Sequence, residues 1–134
     1  MHMKSGTNKY VSVEKIADLS FYTEGPATDS RGNLYCTTLT GKSILKIDGR
    51  NRITEWSRSL CPNGQIILPG DDHLICDTKL AVVSRFDARG KFIRNEMEKH
   101  CCDVPVYCPN DLIADAEENI YFTDSVRNNG KVCF

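Results

Sequence analysis

The chain has 134 residues, of which 40% are hydrophobic and 26% charged, and its formal net charge is −1. These values are typical of one folded domain, and the chain lacks the concentrated positive charge that binding to nucleic acid requires. No apolar run reaches membrane-spanning length, and residues 1–10 lack the apolar core of a secretory signal. We therefore expect a cytoplasmic protein with reduced thiols and no nucleic-acid or membrane partner.

In chain order, residues 1–9 are predicted to form a flexible segment and residues 10–16 a spare β-strand. Three similar copies follow within residues 10–134, beginning near residues 24, 63 and 110. Each copy opens on a polar residue, which is Glu24, Asn63 or Asn110. A regular period in the tens of residues is typical of repeat architectures. We expect the three polar residues to converge on one point.

Short apolar or β-branched runs bounded by turn residues predict strands within each copy. These strands are 35–38, 43–48 and 52–56 in the first copy, 74–77, 82–87 and 91–94 in the second, and 121–124 and 130–134 in the third. Asp and Gly in the intervening turns are typical of hairpins. The pattern predicts an all-β fold of four-stranded antiparallel propeller blades, about three per chain. One helical turn is predicted at 96–102.

Seven cysteines are many for this length. Cys36 and Cys76 are predicted to be small buried core residues at equivalent positions, matched by Phe122 in the third copy. This alignment requires one extra residue in the middle copy. The alternative reading of the other cysteines is a metal site, although no Cys-x-x-Cys spacing supports it. That site would contain His100, Cys101, Cys102 and Cys108.

Four motifs carry a resemblance to a known family. They are Glu24-Gly25-Pro26, Asn63-Gly64, Pro109-Asn110-Asp111 and Tyr121-Phe122-Thr123-Asp124. In this order and spacing they resemble the gluconolactonase/regucalcin family of senescence-marker-like lactonases, which form six-bladed β-propellers. The resemblance covers residues 12–134 and only the N-terminal half of the family's propeller.

The resemblance implies a divalent metal, usually calcium, at the axial end of the propeller, with Glu24 and Asn110 as ligands. Asn63 matches a family residue near the substrate. The implied reaction is hydrolysis of a sugar lactone or related ester by metal-activated water, with Glu24 or Asp111 assisting proton transfer. The alternative is that these side chains only satisfy backbone groups at strand ends.

A third family ligand, an Asp in the second half of the propeller, has no counterpart here. We therefore expect a homodimer that closes one six-bladed ring, in which each copy donates the strand at 10–16 and a second Glu24 replaces that Asp. An open half-ring would expose unpaired strand edges. The alternatives are a truncated inactive homologue and a propeller that binds a metal, small molecule or protein without catalysis.

Overall fold

The computed structural model describes residues 13–125 and the backbone of Val132–Cys133. Every helix or strand assigned in this part of the chain is a β-strand. No helix among these residues is long and apolar enough to cross a membrane. The predicted all-β fold is confirmed.

The strands form three antiparallel blades in chain order. Blade 1 consists of β1 (Thr23–Thr28), β2 (Leu34–Thr38), β3 (Ser43–Ile47) and β4 (Ile53–Arg58). Blade 2 consists of β5 (Pro62–Ile67), β6 (His73–Asp77), β7 (Val82–Phe86) and β8 (Phe92–Glu98), with β9 (His100–Cys101) and β10 (Val104–Pro105) added at its edge. Blade 3 contains β11 (Pro109–Ala114), β12 (Ile120–Ser125) and β13 (Val132–Cys133). The first strand of blade 2, β5, lies between β1 and β11.

Aspartates close the turns within the blades. Between β3 and β4, Asp48 Oδ1 accepts hydrogen bonds from two backbone N–H groups at 2.9 and 3.0 Å. Asp87 does the same between β7 and β8. Asp29 and Asp115 repeat the arrangement between the first two strands of blades 1 and 3. The Asp-containing turns predicted from the sequence are therefore present. In each of them the Asp carboxylate accepts hydrogen bonds from backbone N–H groups of the turn, in place of a backbone carbonyl.

Apolar side chains fill the two spaces between blades. The space between blades 1 and 2 contains Tyr35, Ile44, Ile75 and Phe86, with Trp56 and Ile67 against them. The space between blades 2 and 3 contains Leu68, Leu74, Cys76, Val83 and Leu112. Successive side chains of a strand point to opposite faces. Strand β6 therefore contributes Ile75 to one core and Leu74 and Cys76 to the other.

The strand pairing corrects the predicted alignment of the copies. In every blade, the residue directly before Glu24, Asn63 or Asn110 pairs with the last residue of the strand predicted at 35–38, 74–77 or 121–124. These pairs are Thr23–Thr38, Pro62–Asp77 and Pro109–Asp124. The two residues of each pair are the same distance apart in the sequence, so the middle copy needs no extra residue. Cys36 is therefore equivalent to Ile75 and not to Cys76. Both thiols are buried, and burial raises the pKa of each.

One predicted element is wrong. The helical turn at 96–102 is instead the end of β8 followed by β9, because Met97 and Glu98 pair with β7. Of the spare strand at 10–16, residues 13–16 form no strand, and residues 10–12 lie outside the described residues, as does the segment 1–9. The last predicted strand is present as the backbone pairing of β13 with β12, and residues 130, 131 and 134 lie outside the described part.

Candidate functional site

The opening polar residues lie on the first strand of each blade, where the pairing with the second strand shifts register. The shift begins at Glu24 in β1, directly before Asn63 in β5 and directly before Asn110 in β11. Such bulges redirect side chains and are common beside functional sites. Glu24, Asn63 and Asn110 therefore occupy one equivalent position on three adjoining strands.

Two glycines allow these strands to approach closely at this level. A Cβ on Gly25 would lie 2.9 Å from the carbonyl oxygen of Asn63. A Cβ on Gly64 would lie 2.5 Å from the carbonyl oxygen of Asn110. Only glycine fits so near a neighbouring backbone. Because Gly25 directly follows Glu24 and Gly64 directly follows Asn63, the three opening residues lie side by side.

Glu24 is partly exposed and is oriented by residues that the sequence did not indicate. The hydroxyl of Tyr22 donates to Oε1 of Glu24 at 2.9 Å, and this hydrogen bond raises the pKa of Tyr22. The carbonyl of Gly25 accepts a hydrogen bond from Nε2 of Gln65 at 2.7 Å. Gln65 Oε1 in turn lies 3.3 Å from Nδ1 of His73. The position of Glu24 is thus fixed by Tyr22, directly before β1, and by Gln65 of blade 2, while no hydrogen bond within residues 13–125 reaches its Oε2.

The amide side chains of Asn63 and Asn110 form no hydrogen bond within the part of the chain that the structure describes. Asn63 is only 6% exposed. Its side-chain nitrogen and oxygen are nevertheless not among the fully buried polar atoms that lack a hydrogen-bond partner. The backbone carbonyl of Asn63 accepts a hydrogen bond from Thr37 Oγ1 at 2.6 Å, which joins blade 1 to blade 2. These amides do not cap backbone groups at the strand ends, so they are available for a ligand.

Asp111 follows Asn110 and is exposed. Its Oδ1 accepts a hydrogen bond from the backbone N–H of Leu112 at 2.9 Å, and its backbone N–H donates to Thr123 Oγ1 at 3.1 Å. The same Oδ1 lies 2.7 Å from the position of a Cβ on Gly64. Asp111 therefore lies against β5, next to the strand position of Asn63.

Two further aspartates, at the ends of β6 and β12, are structural. Asp77 is fully buried and accepts hydrogen bonds from the Ser59 hydroxyl at 2.5 Å and from the backbone N–H of Cys61 at 2.8 Å. Asp124 is equally buried and accepts from the backbone N–H groups of Tyr107 and Cys108. Both carboxylates hold the segment that leads into a first strand. Asp124, the last residue of the Tyr-Phe-Thr-Asp motif, thus helps to position Asn110, although the two residues are far apart in the sequence.

The alternative metal site predicted at the cysteines is not formed by the described residues. No group of three or more His, Cys, Asp or Glu side chains among them is arranged to hold a metal ion. His100, Cys101, Cys102 and Cys108 therefore do not form the predicted cluster. Glu24 with Asn63 and Asn110 is a different donor set, with one carboxylate and two amide oxygens. Such hard oxygen donors fit a cation of the calcium type.

No protein-family model matches the sequence, and no curated protein matches it either. Solved structures do match. A gluconolactonase from Xanthomonas campestris superposes with a TM-score of 0.73 at 22% identity, over 81% of this chain and 37% of that one. The chain has the fold of the gluconolactonase β-propellers.

Two further structures share this fold. One is described as a putative gluconolactonase, with a TM-score of 0.70, 16% identity, and coverage of 83% of this chain and 39% of that one. The other is regucalcin, a calcium-binding protein from Agrobacterium tumefaciens, with a TM-score of 0.56, 14% identity, and coverage of 67% and 32%. At such identities the likeness concerns the fold, which can host several functions. The chain spans between 32% and 39% of the length of these three structures.

Proposed function

We propose that this chain, within a complete propeller, forms the site of a divalent-cation-dependent hydrolase acting on a sugar lactone or related ester. One observation carries the proposal. Glu24, Asn63 and Asn110 present oxygen donors from one bulged position on three adjoining strands, and both amides are unengaged within the described residues. The gluconolactonase neighbours support this reaction class.

Glu24 and Asn110 would hold the cation. Calcium suits this pair because it prefers carboxylate and amide oxygens and tolerates irregular coordination. When bound, the cation would supply polarisation of the substrate carbonyl and a lowered pKa for water. Tyr22 would keep Glu24 in place, because its hydroxyl occupies Oε1 and leaves Oε2 for the ligand.

Asn63 would orient the substrate, since its amide offers both a donor and an acceptor. The proton released by the attacking water would pass to a neighbouring carboxylate. Glu24 is one candidate acceptor. Asp111 is the other, because it is exposed beside Asn110 and only its Oδ1 is engaged within residues 13–125.

The second candidate is a propeller that binds a cation, small molecule or protein without catalysis, including an inactive homologue. This alternative is favoured by the donor set itself, because only one of the three equivalent side chains is a carboxylate. The regucalcin neighbour, described as a calcium-binding protein, also supports it. The cytoplasmic location expected because residues 1–10 lack the apolar core of a secretory signal stays a prediction.

Hydrolysis of sugar lactones in calcium and after its removal by a chelator would test the proposal. Glu24→Gln keeps the shape of the side chain but removes the charge, and we expect at least a hundredfold loss of activity. Glu55→Gln is the control, since this exposed carboxylate lies on β4 and pairs with Arg58. Equal activity in the wild type and Glu24→Gln would overturn the assignment. Calcium binding without any hydrolysis would support the non-catalytic alternative.

A further inference from the structure

Gln65 is a buried polar residue at a strand position where the other two blades have apolar residues. It is the second residue after Asn63 in β5, and the residues at this position in blades 1 and 3 are Pro26 and Leu112. Leu112 belongs to the apolar core between blades 2 and 3, whereas Gln65, which is 4% exposed, buries an amide. A buried amide lowers stability unless its atoms are hydrogen-bonded. We therefore expect the amide of Gln65 to serve a purpose other than filling the core.

Hydrogen bonds fix the amide of Gln65 in one orientation. Its Nε2 donates across the blade interface to the carbonyl oxygen of Gly25 at 2.7 Å. Its Oε1 lies 3.3 Å from Nδ1 of His73, within blade 2. Because a carbonyl oxygen can only accept, the amide nitrogen faces Gly25 and the amide oxygen faces His73. Nδ1 of His73 is therefore the donor in the second hydrogen bond.

His73 is itself held in place by aromatic side chains of blade 1. It is 1% exposed, and its ring stacks on that of Trp56 with the centroids 4.0 Å apart. The ring of Tyr35 meets it edge-on, with the centroids 4.6 Å apart. Burial lowers the pKa of His73 to about 4, so the ring is neutral at pH 7 and has a single N–H to donate. The fixed ring of His73 thus keeps the amide of Gln65 turned toward Gly25.

The carbonyl that Gln65 contacts belongs to the bulge beside Glu24. The pairing of β1 with β2 shifts register between Glu24 and Ala27, and the paired residues of these two strands include neither Gly25 nor Pro26. The carbonyl of Gly25 therefore needs a donor from outside its own blade, and Gln65 supplies it. Gly25 directly follows Glu24 and has a φ of +52°, a conformation that glycine adopts without strain. A change in the backbone at Gly25 would therefore redirect the side chain of Glu24.

We propose that Gln65 is a positioning residue of the candidate site, which holds the bulge at Gly25 so that Glu24 is directed toward the cation. His73 acts one step further away, because it keeps the amide of Gln65 in the orientation that this contact requires. Blade 2 thus contributes to the site in two ways, with Asn63 as a donor to the ligand and with Gln65 as a support for Glu24.

The inference rests on the proposed function only as far as cation binding at Glu24, and calcium titration of Gln65→Leu tests it. Leucine is the residue that blade 3 has at this position, but it cannot donate a hydrogen bond to Gly25. We expect the dissociation constant for calcium, measured by calorimetry, to rise about fivefold or more. Ser57→Ala is the matched control, because the Ser57 hydroxyl donates across the same interface, to the carbonyl of Gly90 at 2.8 Å, from the strand at the opposite edge of blade 1. Its calcium affinity should match that of the wild type.

The folded fraction of each variant separates positioning from a general loss of stability. The apparent dissociation constant of a ligand rises only in inverse proportion to the fraction of chains that can bind it. A variant that near-ultraviolet circular dichroism shows to be about nine-tenths folded would therefore bind calcium only about 1.1-fold more weakly through unfolding alone. A fivefold change in such a protein reports the geometry of the site.

Tyr22 provides a second readout that needs no calcium. Its hydroxyl donates to Oε1 of Glu24, and this hydrogen bond raises the pKa of Tyr22. If Gln65→Leu allows Glu24 to turn away, the pKa of Tyr22 should fall toward its ordinary value. A nuclear magnetic resonance titration of tyrosine labelled with carbon-13 at Cζ would measure this pKa, and Tyr22→Phe would identify the signal.

An unchanged calcium dissociation constant in folded Gln65→Leu would overturn the inference, and so would an equal rise in Ser57→Ala. These outcomes are distinguishable from failure of the proposed function. Calcium binding that weakens in Gln65→Leu, in a protein without any hydrolysis, refutes the reaction and supports the inference. If the wild type binds no calcium, the proposed cation site fails, and the titration of Tyr22 then decides the role of Gln65. An unchanged pKa of Tyr22 in Gln65→Leu would refute that role.

Discussion

Replacing Gly64 by alanine tests whether the first strands of blades 2 and 3 are in direct backbone contact. The new Cβ would lie 2.5 Å from the carbonyl oxygen of Asn110, and 2.6 and 2.7 Å from Cα and Oδ1 of Asp111. Ordinary contacts of this kind are about 3.4 Å or longer, so β11 would have to move away from β5 by most of an ångström.

The free-energy cost follows from these distances. Gly64 does not have a positive φ, so alanine adds no backbone strain and would by itself stabilise the fold by about 0.5 kcal/mol. Overpacking of a rigid contact costs about 1–3 kcal/mol. We expect a net loss of about 1.5 kcal/mol in the free energy of unfolding, measured by urea denaturation.

Gly49→Ala is the matched control. No atom lies within 4 Å of the position of its Cβ, and Gly49 does not have a positive φ. Alanine there should leave the free energy of unfolding unchanged or raise it slightly. A loss below about 0.5 kcal/mol for Gly64→Ala, equal to the control within error, would refute the close approach of the two strands.

Three further predictions concern buried polar groups. Thr37→Val should lower the free energy of unfolding by about 1–3 kcal/mol, because the buried carbonyl of Asn63 loses its donor; urea denaturation would measure this, and no loss would contradict it. Asp77→Ala should cost about 3 kcal/mol or more, because the Ser59 hydroxyl and three backbone N–H groups lose their acceptor. Burial lowers the pKa of His73 to about 4 from its usual 6.5, so stability should fall by about 3 kcal/mol as pH drops from 6.5 to 4. His73→Gln should remove that pH dependence, and an unchanged profile would contradict the assignment.

The blade pattern was readable from the sequence because each blade repeats local chemistry. Turn aspartates such as Asp48 and Asp87 act within a few residues of themselves, so their positions mark the hairpins. Register was harder to predict. Cys36 and Cys76 suggested an alignment of blades 1 and 2 that differs by one residue from the alignment given by the strand pairing. A run of short apolar side chains does not by itself distinguish one register from the next.

The position of the candidate site was predicted from the repeat, whereas its supporting contacts were not. Glu24, Asn63 and Asn110 stand out because a polar residue opens each copy. The sequence gives much less indication that Tyr22 and Gln65 support this site. The hydrogen bond from Gln65 to Gly25 joins residues of two blades, so it depends on how the blades pack and not on local sequence. Residues 13–16 of the strand predicted at 10–16 form no strand in this structure for a related reason, since a strand requires a neighbouring strand.

Calcium binding measured by titration calorimetry tests the central claim most directly, because it does not depend on the identity of the substrate. The wild-type chain should bind calcium, and Glu24→Gln should bind at least tenfold more weakly, while Glu55→Gln should match the wild type. Equal calcium affinity for the wild type and Glu24→Gln would contradict the claim that Glu24, Asn63 and Asn110 form a cation site.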